Sequence, residues 1–309
     1  SFVSRGLGDV YKRQALLIDL GGTNVRHAFL IKNALSNISK EKISDDDFIS
    51  FLQRLIDSQQ NEIEYLVIAA AGPNNQVSIN LTNRNLLIEA NELTSKLGVK
   101  ECLLLNDWEA VAHSLNELNN KSLLNIKNGT PSSENTLLIG PGTGLGVTLI
   151  MNNEIIPTEF GNTLSPTKNM LENFGLEKNE EFLSLESILS GPGIEKLYKE
   201  KFGKKLSSER IISFALEGNN DELFIVDNFL KTLISITNDL VLSFSCGKVV
   251  FGGSILNSIK PILMSEKTLN YFPSEINPKY SSLIGKTQVD LLTEDEPGIF
   301  GCLAFLKTK

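Results

Sequence analysis

The sequence has no uncharged apolar run of the roughly 18 residues that a membrane helix needs. Its longest helix-like apolar stretch, residues 224–244, carries Asp227, Asn228, Lys231, Asn238 and Asp239, so no membrane partner is expected. Basic residues are in deficit, 29 Lys and Arg against 37 Asp and Glu, for a net charge of -8. Without a basic stripe to neutralise phosphates, a nucleic-acid partner is excluded. A small phosphorylated ligand is not, because backbone N–H groups and a metal can hold it. Cysteine is scarce: Cys102, Cys246 and Cys302 lie far apart in apolar or glycine-rich surroundings, which reads as reduced thiols in a cytoplasmic protein. Residues 1–14 (SFVSRGLGDVYKRQ) lack the hydrophobic segment of a signal peptide and are set aside as a non-native or disordered leader.

The 309-residue chain as a whole is 41% hydrophobic and 21% charged, with 23 glycines that fall largely in short clusters. That length and composition suit two domains with separate cores. Residues 15–19 (ALLID) form an apolar run ending in a carboxylate and Gly21-Gly22, and a second run, 27–31, follows; the pair predicts a hairpin with a glycine turn. Residues 46–56 repeat apolar positions at helical spacing, 65–71 read as a buried strand stopping at Gly72-Pro73, 82–85 as a polar loop and 89–97 as a helix. Residues 101–105 form another buried strand, which empties into Asn106-Asp107 before a helix expected from about Trp108 to Leu118. The opening pattern then recurs about 120 residues later: a strand at 135–140, a glycine turn at 141–146 (PGTGLG) and a returning strand at 147–151, which suggests two related halves. Beyond lie a helix expected over 183–189 and ended by Gly191-Pro192-Gly193, a long helix at 224–244, and a strand at 248–251 running into Gly252-Gly253. A strand at 289–292 and a closing helix opened by Pro297 complete the chain.

Taken singly, a glycine pair after a strand is most often a tight turn. Two such turns change the reading, because a phosphate chain needs backbone N–H groups that can approach without a Cβ in the way. Gly22, Thr23 and Asn24 belong to the first turn, and Gly142, Thr143 and Gly144 to the second. Asp19 reads either as a turn-capping carboxylate or as a group facing magnesium through water. No Lys-Ser/Thr pair follows the glycines, and strand residues follow Gly140, Gly142 and Gly144 where a dinucleotide fingerprint would open a helix. Asp107 reads equally as the N-cap of the helix beginning at Trp108 and as the proton acceptor that phosphoryl transfer to a hydroxyl requires; the two roles are compatible. Glu159 and Glu186 read as solvated surface glutamates or as acceptors for vicinal hydroxyls.

In chain order, Asp19-Leu-Gly-Gly-Thr-Asn24 with Arg26, Thr82-Asn83, Leu105-Asn106-Asp107, Gly140-Pro-Gly-Thr-Gly-Leu-Gly146, Pro157 with Glu159, Glu186 through Gly193, Gly252-Gly253 and Asp295 with Pro297-Gly298 resemble the bacterial glucokinase family. That family lies within the actin, sugar-kinase and Hsp70 superfamily. The resemblance implies an α/β fold of two ribonuclease-H-like, actin-like ATPase domains with a ligand cleft between them. Residues 15–108 with 299–309 would form the small domain and 109–298 the large one. It implies transfer of the ATP γ-phosphate to the 6-hydroxyl of glucose, with ATP and Mg²⁺ as cofactors and a homodimer as the expected assembly. Asp107 would be the base, and Asn83, Asn106, Glu159, Asn162 and Glu186 would bind the sugar. Asp19, Leu20, Gly21, Gly22, Thr23, Asn24, Arg26, Gly142, Thr143 and Gly144 would hold the nucleotide's phosphates and magnesium, the latter through water at Asp19. Gly252 and Gly253 would border adenine. The chain departs from the family pattern at Phe160, where glycine is usual, at Asn162, where histidine is usual, and at Leu86, where tryptophan is usual. A kinase for another hexose and a non-catalytic sugar or nucleotide sensor are the alternatives these departures leave. The cysteine-rich zinc signature of the related repressor and sugar-kinase group is missing, so no zinc site is expected.

Overall fold

A computed structural model describes residues 13–309, apart from residues 22–23, 45–46, 76, 82–85, 165–166 and 178–179. The chain divides into two compact units: the residues up to Asn119 together with Glu294–Lys309, and Asn120–Thr293.

The first unit contains β1 (Ala15–Leu20), β2 (Val25–Ile31), β3 (Ala34–Leu35), β4 (Ser39–Glu41), α1 (Phe48–Asp57), β5 (Tyr65–Ala70), β6 (Ser78–Asn80), β7 (Leu87–Glu89), α2 (Ala90–Leu97), β8 (Glu101–Asn106), α3 (Asp107–Ser114) and the closing helix Pro297–Thr308. Its main sheet runs β3-β2-β1-β5-β8, with β4 also pairing β2, while β6 and β7 form a separate ladder. Strand β1 is antiparallel to β2 and parallel to β5. It is apolar at successive positions because both sheet faces are covered. Leu16, Ile18 and Leu20 join a core with Phe48, Phe51 and Leu52 of α1 and Leu93 and Leu97 of α2. Ala15 and Leu17 face the opposite core, with Ala110 of α3 and Ile299, Cys302, Leu303 and Leu306 of the closing helix.

The second unit contains β9 (Leu123–Lys127), β10 (Thr136–Pro141), β11 (Leu145–Met151), β12 (Glu154–Thr158), α4 (Thr167–Asn173), α5 (Gly191–Phe202), α6 (Ser208–Leu216), α7 (Asn220–Phe244), β13 (Lys248–Phe251) and β14 (Gln288–Leu292), with short helices between β13 and β14. The sheet order is β12-β11-β10-β13-β14-β9. The first five strands repeat the first unit's plan: three strands joined by successive hairpins, then two parallel neighbours. The recurrence of strand, glycine turn and strand is therefore a recurrence of topology. Strand β9 is added antiparallel on the β14 edge. Helix α7 buries Ile225, Val226, Phe229, Leu230, Leu233, Ile234, Leu240 and Val241, the spacing that lays one helical face on a core.

Two local expectations are corrected. Residues 183–189 form turns and no helix, because Gly191-Pro192-Gly193 is a start and not a stop. The Ser190 hydroxyl accepts the Gly193 N–H at 3.1 Å, and Pro192 fits the first turn of α5, where its missing N–H costs nothing. The helix after β8 ends at Ser114 and is capped by Asn106, not by Asp107. Among the described residues no helix is long and apolar enough to cross a membrane. All three cysteines are buried and free; burial pushes the Cys102 thiol up to about 12 and the Cys246 thiol up to about 11, so neither is a nucleophile near neutrality.

Candidate active site

Within the first unit, the antiparallel register of β1 and β2 places Asp19 opposite Arg26. Arg26 Nη1 lies 3.5 Å from Asp19 Oδ2, and Arg26 Nε forms a close ion pair with Glu296 Oε2, just before the closing helix. Burial pushes the Asp19 carboxyl above its usual range, partly offset by Arg26. The turn after β1 is closed by the Gly21 N–H, which donates to the Asn24 carbonyl at 3.0 Å. The Leu20 side chain is committed to the core, so only its backbone remains for a ligand. Gly22, Thr23 and Asn83 lie outside the described residues.

At the end of β8, Asn106 Oδ1 accepts the N–H groups of Trp108 at 2.9 Å and Glu109 at 3.3 Å, while Glu109 Oε2 accepts the Asn106 N–H at 3.1 Å. This is a complete capping box. It was readable as Asn-x-x-Glu at 106–109, and Glu109 went unnoticed in the sequence. Asn106 Nδ2 also donates to the Gly72 carbonyl at 3.2 Å, which among the described residues leaves one amide hydrogen for a ligand. With Asn106 serving as cap, Asp107 occupies the first helical position, where the helix end favours negative charge. Its Oδ1 accepts the Trp108 N–H at 2.9 Å.

In the second unit, the structure brings the second glycine turn and both candidate sugar carboxylates together. The Gly142 N–H donates to the Gly144 carbonyl at 2.8 Å, and the Gly191 N–H, at the start of α5, donates to the Gly142 carbonyl at 2.8 Å. Glu186 Oε2 accepts the Leu145 N–H at 3.4 Å, and the Glu186 N–H donates to the Gly161 carbonyl at 2.9 Å. Glu186 thus ties the turn at residues 142–144 to the segment carrying Glu159 and Asn162. A Cβ on Gly144 would stand 2.6 Å from Glu186 Oε2, so any larger residue there would displace this carboxylate. Asn162 Nδ2 donates to Glu159 Oε2 at 3.1 Å, while Phe160 packs against the apolar core. Leu86 of the first unit likewise packs against that unit's core. Two of the three departures from the family pattern are thereby absorbed as packing. Gly252 and Gly253 follow β13; the Gly252 N–H donates to the Ile139 carbonyl at 3.1 Å. Gly253 has φ of 91°, and a Cβ there would lie 2.6 Å from the Pro141 carbonyl, which places this glycine pair beside the turn at 142–144.

These residues fit a nucleotide and magnesium. A Cβ on Gly142 would meet no protein atom within 4 Å, so a phosphate oxygen has room to reach the backbone, with the start of α5 adjacent. Thr143 is exposed at the same turn. In the first unit two carboxylates, Asp19 and Glu296, share one guanidinium, and the surplus negative charge suits a cation. No group of three or more metal-ligating side chains converges among the described residues. A metal at Asp19 would therefore keep its own waters, as magnesium does.

The sequence model of a family described as Glucokinase matches residues 16–309. A glucokinase of Chelativorans sp. is 29% identical over 313 residues, covering 95% of this chain and 91% of that protein. Among solved structures, a glucokinase of Balamuthia mandrillaris in complex with glucose superposes with a TM-score of 0.80 at 18% identity, over 98% of this chain and 96% of that one. A glucokinase of Streptomyces griseus, of the ROK family and in complex with glucose and AMPPNP, superposes with a TM-score of 0.66 at 16% identity, over 95% of this chain and 98% of that one.

Proposed function

Because this chain belongs to the glucokinase family, we propose that it transfers the γ-phosphate of ATP to the 6-hydroxyl of glucose, releasing ADP and glucose 6-phosphate. The observation that carries the reading is the hydrogen-bonded junction in which Glu186 joins the turn at Gly142–Gly144 to the Glu159–Asn162 segment. A kinase needs its phosphate donor and acceptor hydroxyl fixed to each other, because positioning and charge stabilisation supply nearly all of the rate enhancement.

In this mechanism Glu159, Glu186 and the remaining Asn106 amide hydrogen fix the sugar hydroxyls, and Asn162 fixes Glu159. Asn83 lies in a segment matching the family pattern and is assigned to the sugar on that ground. The 6-hydroxyl oxygen forms its bond to the γ-phosphorus as the bond to the β,γ-bridging oxygen breaks. Asp107 takes the hydroxyl proton late, when the forming P–O bond has acidified it. The backbone of both glycine turns and Arg26 hold the phosphates, Asp19 holds hydrated magnesium, and Gly252 and Gly253 border adenine. Magnesium, when bound, neutralises charge on the phosphate oxygens. Excluding water from the reacting groups keeps it from competing with the sugar for the phosphoryl group.

Asn162, where the family carries histidine, supports a second reading, in which another hexose is the better acceptor. ADP release from ATP and magnesium, measured with no sugar and then with glucose, mannose and an amino sugar in turn, separates the readings. Glucose should give the highest kcat/KM. A preference for another hexose moves the assignment to that sugar, and ATP hydrolysis indifferent to every sugar refutes a hexose kinase. Dependence on ATP and the three free, buried thiols support a cytoplasmic setting. The family resemblance supports a homodimer, which light scattering on the purified chain would test.

A further inference from the structure

The magnesium role given to Asp19 leaves a physical problem, because a cationic side chain stands beside the same carboxylate. The inference here rests on the proposed kinase function and concerns a residue not yet given a part in it, Glu296. Arg26 Nη1 is 3.5 Å from Asp19 Oδ2, well beyond the 2.7–2.9 Å or so of a strong charge-assisted hydrogen bond. Its Nε, by contrast, is in close ion contact with Glu296 Oε2. The guanidinium is thus shared between the two carboxylates, paired with Glu296 through Nε and donating a long hydrogen bond to Asp19 through Nη1. The Asp19 carboxylate is meanwhile seated on the first turn of the closing helix: a Cβ on Gly298 would stand 2.6 Å from Asp19 Cγ. One short segment, 296–298, both holds the cation and provides the seat for the carboxylate. Counting Asp295 and Lys40, which also act on Glu296, three carboxylates face two cations, so a net negative charge remains.

We propose that Glu296 is a positioning residue that holds Arg26 off Asp19, leaving the Asp19 charge available to the hydrated magnesium of a Mg-nucleotide. Neutralising Glu296 frees Arg26 to close on Asp19 and cancel that charge. Removing Arg26 as well uncovers Asp19 again.

Calorimetric titration of the full chain with ADP, in excess magnesium and in EDTA, tests this without sugar or turnover. Glu296→Gln should lower the ratio of the two affinities on the order of tenfold, the effect of one unit charge a few ångströms away at a dielectric near that of water. The free-ADP affinity should hold or rise. The double variant Arg26→Gln, Glu296→Gln should restore the ratio. An unchanged ratio in Glu296→Gln, or no recovery in the double variant, overturns the proposal. Should Glu296→Gln fail to fold, Arg26→Gln alone decides: a magnesium preference at or above wild type supports the restraint, and a lower one refutes it. Wild-type protein that binds ADP in neither condition overturns the kinase function itself, and this inference with it.

Discussion

Replacing Asn106 with Ala separates the scaffold of the site from its chemistry. The side chain accepts two helix N–H groups, from Trp108 and Glu109, and donates to the carbonyl of buried Gly72. Loss of the cap costs about 1 kcal/mol, and a buried carbonyl left without its donor costs about 1–3 kcal/mol more. The first unit should therefore lose about 2–4 kcal/mol. Trp108 is the single tryptophan and lies two residues from the substitution, so its fluorescence during urea unfolding follows the affected unit. Asn106→Ser, which restores a capping oxygen but cannot reach Gly72, should recover only the cap's share. A loss within about 0.5 kcal/mol for the Ala variant, the size of an ordinary surface change, would refute this account of how α3 is anchored.

Three further outcomes are expected. Gly253→Ala places a side chain at a φ of 91° and ψ of 157° and against the Pro141 carbonyl; backbone strain alone costs about 1–3 kcal/mol, and a thermal melt should show it. Gly144→Ala must push the Glu186 carboxylate off the Leu145 N–H, so KM for both sugar and ATP should rise while the melting temperature moves little; an unchanged KM for both contradicts the coupling. Burial raises the Glu109 carboxyl above its ordinary 4.5, against the opposing hydrogen bonds from Asn106 and Asn74. The folded wild type therefore loses stability as pH rises from 4.5 through the raised value. Glu109→Gln keeps an acceptor for the Asn106 N–H but cannot ionise. Its stability relative to wild type should rise across that window and level off above it, and a gain equally present below pH 4.5 refutes the cause.

Both hairpins and the main parallel strands were legible in the sequence because each is signalled by a local apolar run and by glycines at the turn. The recurrence of strand, turn and strand in the second unit was legible for the same reason. Strand β12 was not, since Pro157 reads against a strand and is tolerated there only because β12 is a sheet edge. The start of α5 was misread because Gly-Pro-Gly signals both stops and starts, and the capping serine at 190 decides between them. Phe160 and Leu86 stood out in the sequence as altered pocket residues, but side-chain direction depends on tertiary packing, and both turn into cores. Glu296 carried no local signal: its significance comes from Arg26, 270 positions away in the chain and adjacent in space.

The central claim is that Asp107, at the first position of the helix that Asn106 caps, takes the proton from a glucose hydroxyl. Its most direct test is hexose-dependent ADP formation by Asp107→Asn beside wild type, with ATP binding measured on the same samples. The variant should lose about 100- to 10,000-fold in kcat, the usual contribution of a general base, while ATP affinity and the unfolding curve stay close to wild type. Turnover near the wild-type rate in a folded Asp107→Asn protein would contradict the assignment.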